Sequence, residues 1–168
     1  MNYRLRPGDL VEVLTAKEIL SNLDNNGSLD GLPFMPEMVE FCGKRYRVFQ
    51  RVVQATIDDE AQTLREFRNN DVVVLEGLRC SGLDHDGCQR GCMIFWKEAW
   101  LSKFEDGEVL PGPIPSDVEE LRGKIKTKVE SGYYFCQSTK FYKATNPLPR
   151  WRRLGKCFSS LQAGNCSA

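Results

Sequence analysis

The sequence predicts an α+β fold: a small SH3-like β-barrel carrying helical decorations. Three segments lead to that expectation. Residues 71–78 (DVVVLEGL) form a β-branched run bounded by turn residues, the pattern of a strand buried on both sides or nearly so. Residues 44–53 (KRYRVFQRVV) alternate Tyr46, Val48 and Gln50 against Arg45, Arg47, Phe49 and Arg51, which gives a strand with a basic outer face. Residues 8–14 (GDLVEVL) read as a further strand entered through the Pro7-Gly8 turn. A short strand, a long decorated loop and two more strands suit such a barrel.

The other elements follow in chain order. Thr15-Ala16-Lys17-Glu18 is a capping box, in which hydroxyl and carboxylate satisfy the first backbone amides of a helix running to about Leu23. Residues 24–36 (DNNGSLDGLPFMP) read as loop. They do not make a calcium loop, because Leu29 and Met35 stand where that pattern needs glycine and glutamate. A helix is expected from about Cys88 to Phe104, with Trp96, Trp100 and Phe104 on one core-facing side. Residues 105–115 hold three prolines and two glycines and read as a linker. Ser116-Asp117-Val118-Glu119 looks like a second capping box, opening a charged helix to about residue 130, and Phe135-Cys136-Gln137 reads as a strand. The domain organisation expected is a barrel with its Cys/His segment (78–104) in residues 1–106, a linker at 107–115, and a helix plus basic, aromatic extension with a loose tail in 116–168.

Composition narrows the function classes. Of 168 residues, 41% are hydrophobic and 27% charged, a globular profile, and 23 Lys and Arg balance 23 Asp and Glu. No global field draws the chain to nucleic acid or anionic lipid, so such a partner would need a local patch. The one candidate is the stretch from Lys140 to Lys156, where Phe141, Tyr142 and Trp151 interleave with basic residues in the manner of a single-strand binder; a solvated surface is the plainer reading. No apolar run approaches the ~20 residues of a membrane span, and no signal peptide opens the chain, so a cytoplasmic location is expected. Phosphate loops, nucleotide fingerprints and hydrolase elbows are absent from the sequence.

Seven cysteines are many for a reducing compartment, and an odd number does not suit a full disulfide framework. Three of them share one window with the only histidine: Cys80, His85, Cys88 and Cys92, spaced C-x4-H-x2-C-x3-C. Thiolate and imidazole are the donors that hold zinc, and thiolates hold iron–sulfur clusters. Three cysteines and one histidine make a closed, structural zinc set, placed by this reading at a strand-to-helix turn. Cys136 offers an alternative fourth thiolate; with Cys80, Cys88 and Cys92 it gives an all-sulfur set suited to an iron–sulfur cluster, with His85 beside it. A third possibility is a Cys-His thiol enzyme, His85 activating Cys80 or Cys88 near Arg79 or Arg90. Against all three stands simple packing, since free cysteine is often a small core residue. Cys42 is read as core or turn, and Cys157 and Cys166 as bystanders.

The blocks GLPFMPEM (31–38), FCGKRYRV (41–48), LEGLRC (75–80), HDGCQRGCMIFWKEAWL (85–101) and FCQSTKFYKATNPLP (135–149) resemble a family of uncharacterised bacterial proteins, over most of the chain to about Trp151. Beyond Trp151 the chain departs from that family's pattern, which implies a shortened member. The resemblance implies relatives and supplies no reaction. The functional expectation is an accessory protein with a structural metal site, supporting a protein partner or a biosynthetic pathway; the competing class is an iron–sulfur redox protein or a thiol enzyme.

Overall fold

Alternation between core and solvent sets the central sheet. In the computed structural model, which describes residues 4–56, 63–104, 114–129 and 132–148, β1 (Leu10–Val13) buries Val11 and Val13 completely. After the helix α1 (Ala16–Asn22) come two short strands, β2 (Ser28–Leu29) and β3 (Leu32–Pro33), then β4 (Arg45–Arg51), β5 (Gln54–Thr56), β6 (Leu64–Phe67) and β7 (Val72–Arg79). The chain continues through β8 (Met93–Lys97), β9 (Leu101–Lys103), α2 (Pro115–Lys124), α3 (Gln137–Ala144) and β10 (Thr145–Pro147). Five strands form one antiparallel sheet in the order β8-β7-β4-β1-β9, curled into half a barrel. Among the described residues it ends on β8 and β9 as edges and does not close on itself. β10, β6 and β5 make a second antiparallel sheet, and β2 and β3 a hairpin.

The capping box at Thr15 is present: its hydroxyl accepts from the Glu18 amide while the Glu18 carboxylate accepts from the Thr15 amide at 2.9 Å. The basic face of β4 is as read at Arg45 and Arg47, which are exposed, but Arg51 is buried. Its guanidinium ties the N-terminal segment down, donating to the Leu5 carbonyl at 2.6 Å and pairing with Glu98. Such burial of a cation is tolerable only with these partners. Lys97 follows the same rule, held by Asp71 at 2.9 Å and Asp30 at 3.1 Å.

Several expected elements take another form. Residues 88–104 are not a helix: β8, a 3-10 turn at Glu98–Trp100 and β9 replace it. Met93 to Lys97 is rich in β-formers and pairs with β7, Val73 opposite Trp96 and Val74 opposite Phe95. The turn resets the alternation, so that Trp96 and Trp100 both reach the core and pack edge-on against Phe34 at 6.2 and 5.2 Å. The Cys/His segment therefore closes a β-hairpin and does not sit at a strand-to-helix turn. Ser116 does not cap: α2 begins at Pro115, a residue suited to the first helical position, and ends at Lys124. Phe135-Cys136 is not a strand, because Cys136 is the N-cap of α3. The loop at 24–36 holds the β2–β3 hairpin.

The segment after residue 116 is woven into the rest. Leu121 of α2 is buried against α1, Phe141 of α3 packs on Phe67 and Phe95, and β10 pairs with β6. Phe141, one of the aromatics in the basic stretch, is thus a core residue. Most of the expected linker, residues 149–156 and the tail with Cys157 and Cys166 lie outside the described residues.

Cys42 lies in this core, 2% exposed, and burial pushes its thiol up to about 11 from an ordinary 9.0. The unfolded chain then loses the Cys42 proton before the folded one does. The associated stability is intact below pH 9 and is lost as the pH rises toward 11, on the order of 2–3 kcal/mol in all. Denaturant midpoints measured from pH 8 to pH 11 are expected to fall more steeply for the native chain than for Cys42→Ala.

Candidate metal centre

The site is built on the loop that joins β7 to β8. The ladder extends one step past β7, with the Cys80 amide donating to the Cys92 carbonyl at 2.9 Å, so these two cysteines mark the base of the loop. Inside it, one acceptor organises the turn. The Gly82 carbonyl receives the amides of His85 and Gly87 at 3.0 Å and of Cys88 at 3.2 Å. Gly82 has φ +72, and any Cβ there would overlap the Cys88 carbonyl. The loop thus folds back on itself and returns Cys88 toward Cys80.

A second segment meets it from α3. Gln137 is buried, and its carboxamide pairs with the strandless edge of β8, accepting from the Phe95 amide and donating to the Phe95 carbonyl, both at 2.8 Å. The same nitrogen reaches the Pro33 carbonyl at 3.0 Å. Gln137 occupies the edge as a strand would, and it fixes Cys136, its neighbour, beside the hairpin. Cys136 is the N-cap of α3, with its sulfur 3.6 Å from the Thr139 hydroxyl and its amide donating to that hydroxyl at 3.2 Å.

Cys80, Cys88, Cys92 and Cys136 line one cavity of about 110 Å³ together with His85, Met35, Arg90 and Tyr134. All four are half-buried free thiols. The fold therefore gathers the expected set of Cys80, His85, Cys88 and Cys92 and the alternative thiol Cys136 around the same space. Burial pushes the Cys80 thiol up to about 11, with the Glu37 carboxylate and Cys92 adding to the rise. Burial raises Cys92 as well, helped by Cys136 and Cys88. The Arg90 guanidinium opposes the rise at Cys92.

Glu37 is the residue that sequence reasoning missed. It lies in the 3-10 segment Pro36–Phe41, fully inside, and its Oε1 meets His85 Nδ1 at 2.5 Å and the Cys80 sulfur at 3.7 Å. Donor atoms of Glu37, Cys80 and His85 all lie within 4.8 Å of one another, whereas the four cysteine sulfurs do not form such a group. The other carboxylate oxygen, Oε2, and the other imidazole nitrogen, Nε2, are buried with no hydrogen-bond partner among the described residues. The only sequence signal for Glu37 was its place inside GLPFMPEM. At the rim, Tyr134 stands edge-on to the His85 ring at 5.5 Å and donates to Asp86 at 2.7 Å. Asp86 is held below the usual carboxylate range by Lys128 and by this tyrosine.

No family model, curated protein or solved structure matches the chain.

Two substitutions test how the site is assembled. Gly82→Ala introduces both a clash and left-handed strain, of order 1–3 kcal/mol, and is expected to open the loop, so that Cys88 alkylates faster in the native protein. Gln137→Ala orphans the Phe95 amide and carbonyl, a loss of about 1–3 kcal/mol. It should lower the thermal midpoint and raise the alkylation rate of Cys136 more than that of Cys42.

Proposed function

We propose that this protein is an iron–sulfur protein whose centre is held by Cys80, Cys88, Cys92 and Cys136, acting as an accessory redox component for a protein partner. One observation carries the reading: four cysteines from the base, the middle and the facing helix of a β-hairpin loop surround a single cavity. Its size bears on the choice of centre. Zinc holds thiolates at ~2.3 Å, which puts tetrahedral sulfurs about 3.8 Å apart and leaves no interior space. The four sulfurs here do not fall within 4.8 Å of one another, and the cavity of about 110 Å³ suits a polynuclear centre better than one ion. Four thiolates are the usual ligand set for such clusters.

A structural zinc on Cys80, His85, Cys88 and Cys92 uses only four of the five donors and leaves Cys136 idle at a helix terminus. Cys80 is poorly suited to act as a thiol nucleophile, because burial and the adjacent Glu37 carboxylate push its thiol up to about 11. The scaffold is read as a small SH3-like barrel opened on one side, with the centre on its longest hairpin. Reduction and oxidation of a bound cluster would supply one-electron chemistry. The chain's own contribution is the sulfur cradle, the apolar walls of Met35 and Met93, and the buried imidazole beside it.

Purification without oxygen tests the reading. The expected product is brown, absorbs near ~400 nm, and carries about two to four irons with matching sulfide. Cys136→Ser should lose most of that iron while keeping the fold. A colourless protein with about one zinc per chain, unaffected by Cys136→Ser, would contradict it and restore the three-cysteine, one-histidine set. Because ligation displaces thiol protons, metal retention against a chelator should strengthen as the pH rises from 6 to 9.

A further inference from the structure

Glu37 and His85 carry more polar capacity than the four-thiolate centre uses. Both are buried, 4% exposed each, and each has one atom unpaired: Oε2 of the carboxylate and Nε2 of the imidazole. A buried polar atom without a partner costs about 1–3 kcal/mol, and here two occur on one hydrogen-bonded pair. The Cys80 sulfur stands against the same carboxylate at 3.7 Å. His85, unlike Glu37, lines the cysteine cavity.

We propose that the His85 imidazole, the Cys80 sulfur and the Glu37 carboxylate form a second site, for one borderline-soft divalent cation such as zinc, adjoining the four-thiolate centre. The inference rests on that reading in one respect only: Cys80 belongs to both donor groups and becomes the thiolate that the two share. The donor set defines the cation class. Nitrogen, sulfur and oxygen together suit zinc or ferrous iron, and disfavour magnesium or calcium, which take oxygen ligands. The three donors come within 4.8 Å of one another, so a cation reaches all of them after small side-chain shifts. It replaces the hydrogen bond between Glu37 and His85 with ligation of both partners. Three protein donors leave the cation a further coordination position, the arrangement of a site that binds an outside ligand.

The test is a cobalt titration of the anaerobically purified full chain, with iron, sulfide and zinc counted before and after. Cobalt bound at about one per chain, with thiolate-to-cobalt absorption and iron unchanged, supports the second site. Glu37→Gln and His85→Gln should each weaken cobalt binding at least tenfold while retaining iron and sulfide. Cobalt binding that is absent in the native chain, or unchanged in both variants, overturns the proposal and leaves the four-thiolate reading intact. A chain that carries no iron, binds one cobalt, and loses it equally in His85→Gln and Cys92→Ser is a single mixed site; that outcome overturns both. Titration of the native chain needs no variant to fold, so the proposal stays testable if Glu37→Gln does not.

Discussion

The Gln137 carboxamide is the joint on which the site depends. The edge of β8 presents an amide and a carbonyl at Phe95 that have no strand beside them, and a buried edge with unpaired backbone is untenable. Gln137 satisfies both groups and the Pro33 carbonyl from one side chain. In doing so it draws the start of α3 to the hairpin and brings Cys136 into the wall of a cavity whose other cysteines come from a segment more than forty residues earlier. The joint is local in geometry and distant in sequence.

Much of the frame was legible because it rests on local pattern. The alternation in β4, the β-branched run of β7 and the Thr15 capping box express themselves within a few residues, and each forms where expected. Cys80, His85, Cys88 and Cys92 share one hairpin loop and line one cavity, but no three of them bring donor atoms within 4.8 Å of one another. The stretch from Cys88 to Phe104 misled for a physical reason. Trp96, Trp100 and Phe104 are spaced as on a helix, yet a 3-10 turn at Glu98–Trp100 resets the strand register and puts both tryptophans inwards by another route. Ser116 misled because Pro115 already starts α2 with no need of a side-chain cap. Glu37 was invisible because nothing in its own segment indicates that it will be buried against His85, a residue 48 positions away.

Electrostatics explains why these groups are held together at all. Cys80 is raised by burial, Glu37 and Cys92, and Cys92 by burial, Cys136 and Cys88. In the proposed reading a cationic centre draws the protons off the raised thiols and turns them into ligands. On that reading the tight turn at Gly82, the N-cap position of Cys136 and the edge-pairing by Gln137 pre-organise the donors.

X-ray absorption at the metal edge of the anaerobically purified native chain tests that account most directly. The account predicts iron in a sulfur-dominated first shell with a short metal–metal vector, the mark of a polynuclear centre in the four-cysteine cradle. A single zinc in a shell of sulfur and nitrogen, with no metal–metal vector, would contradict it.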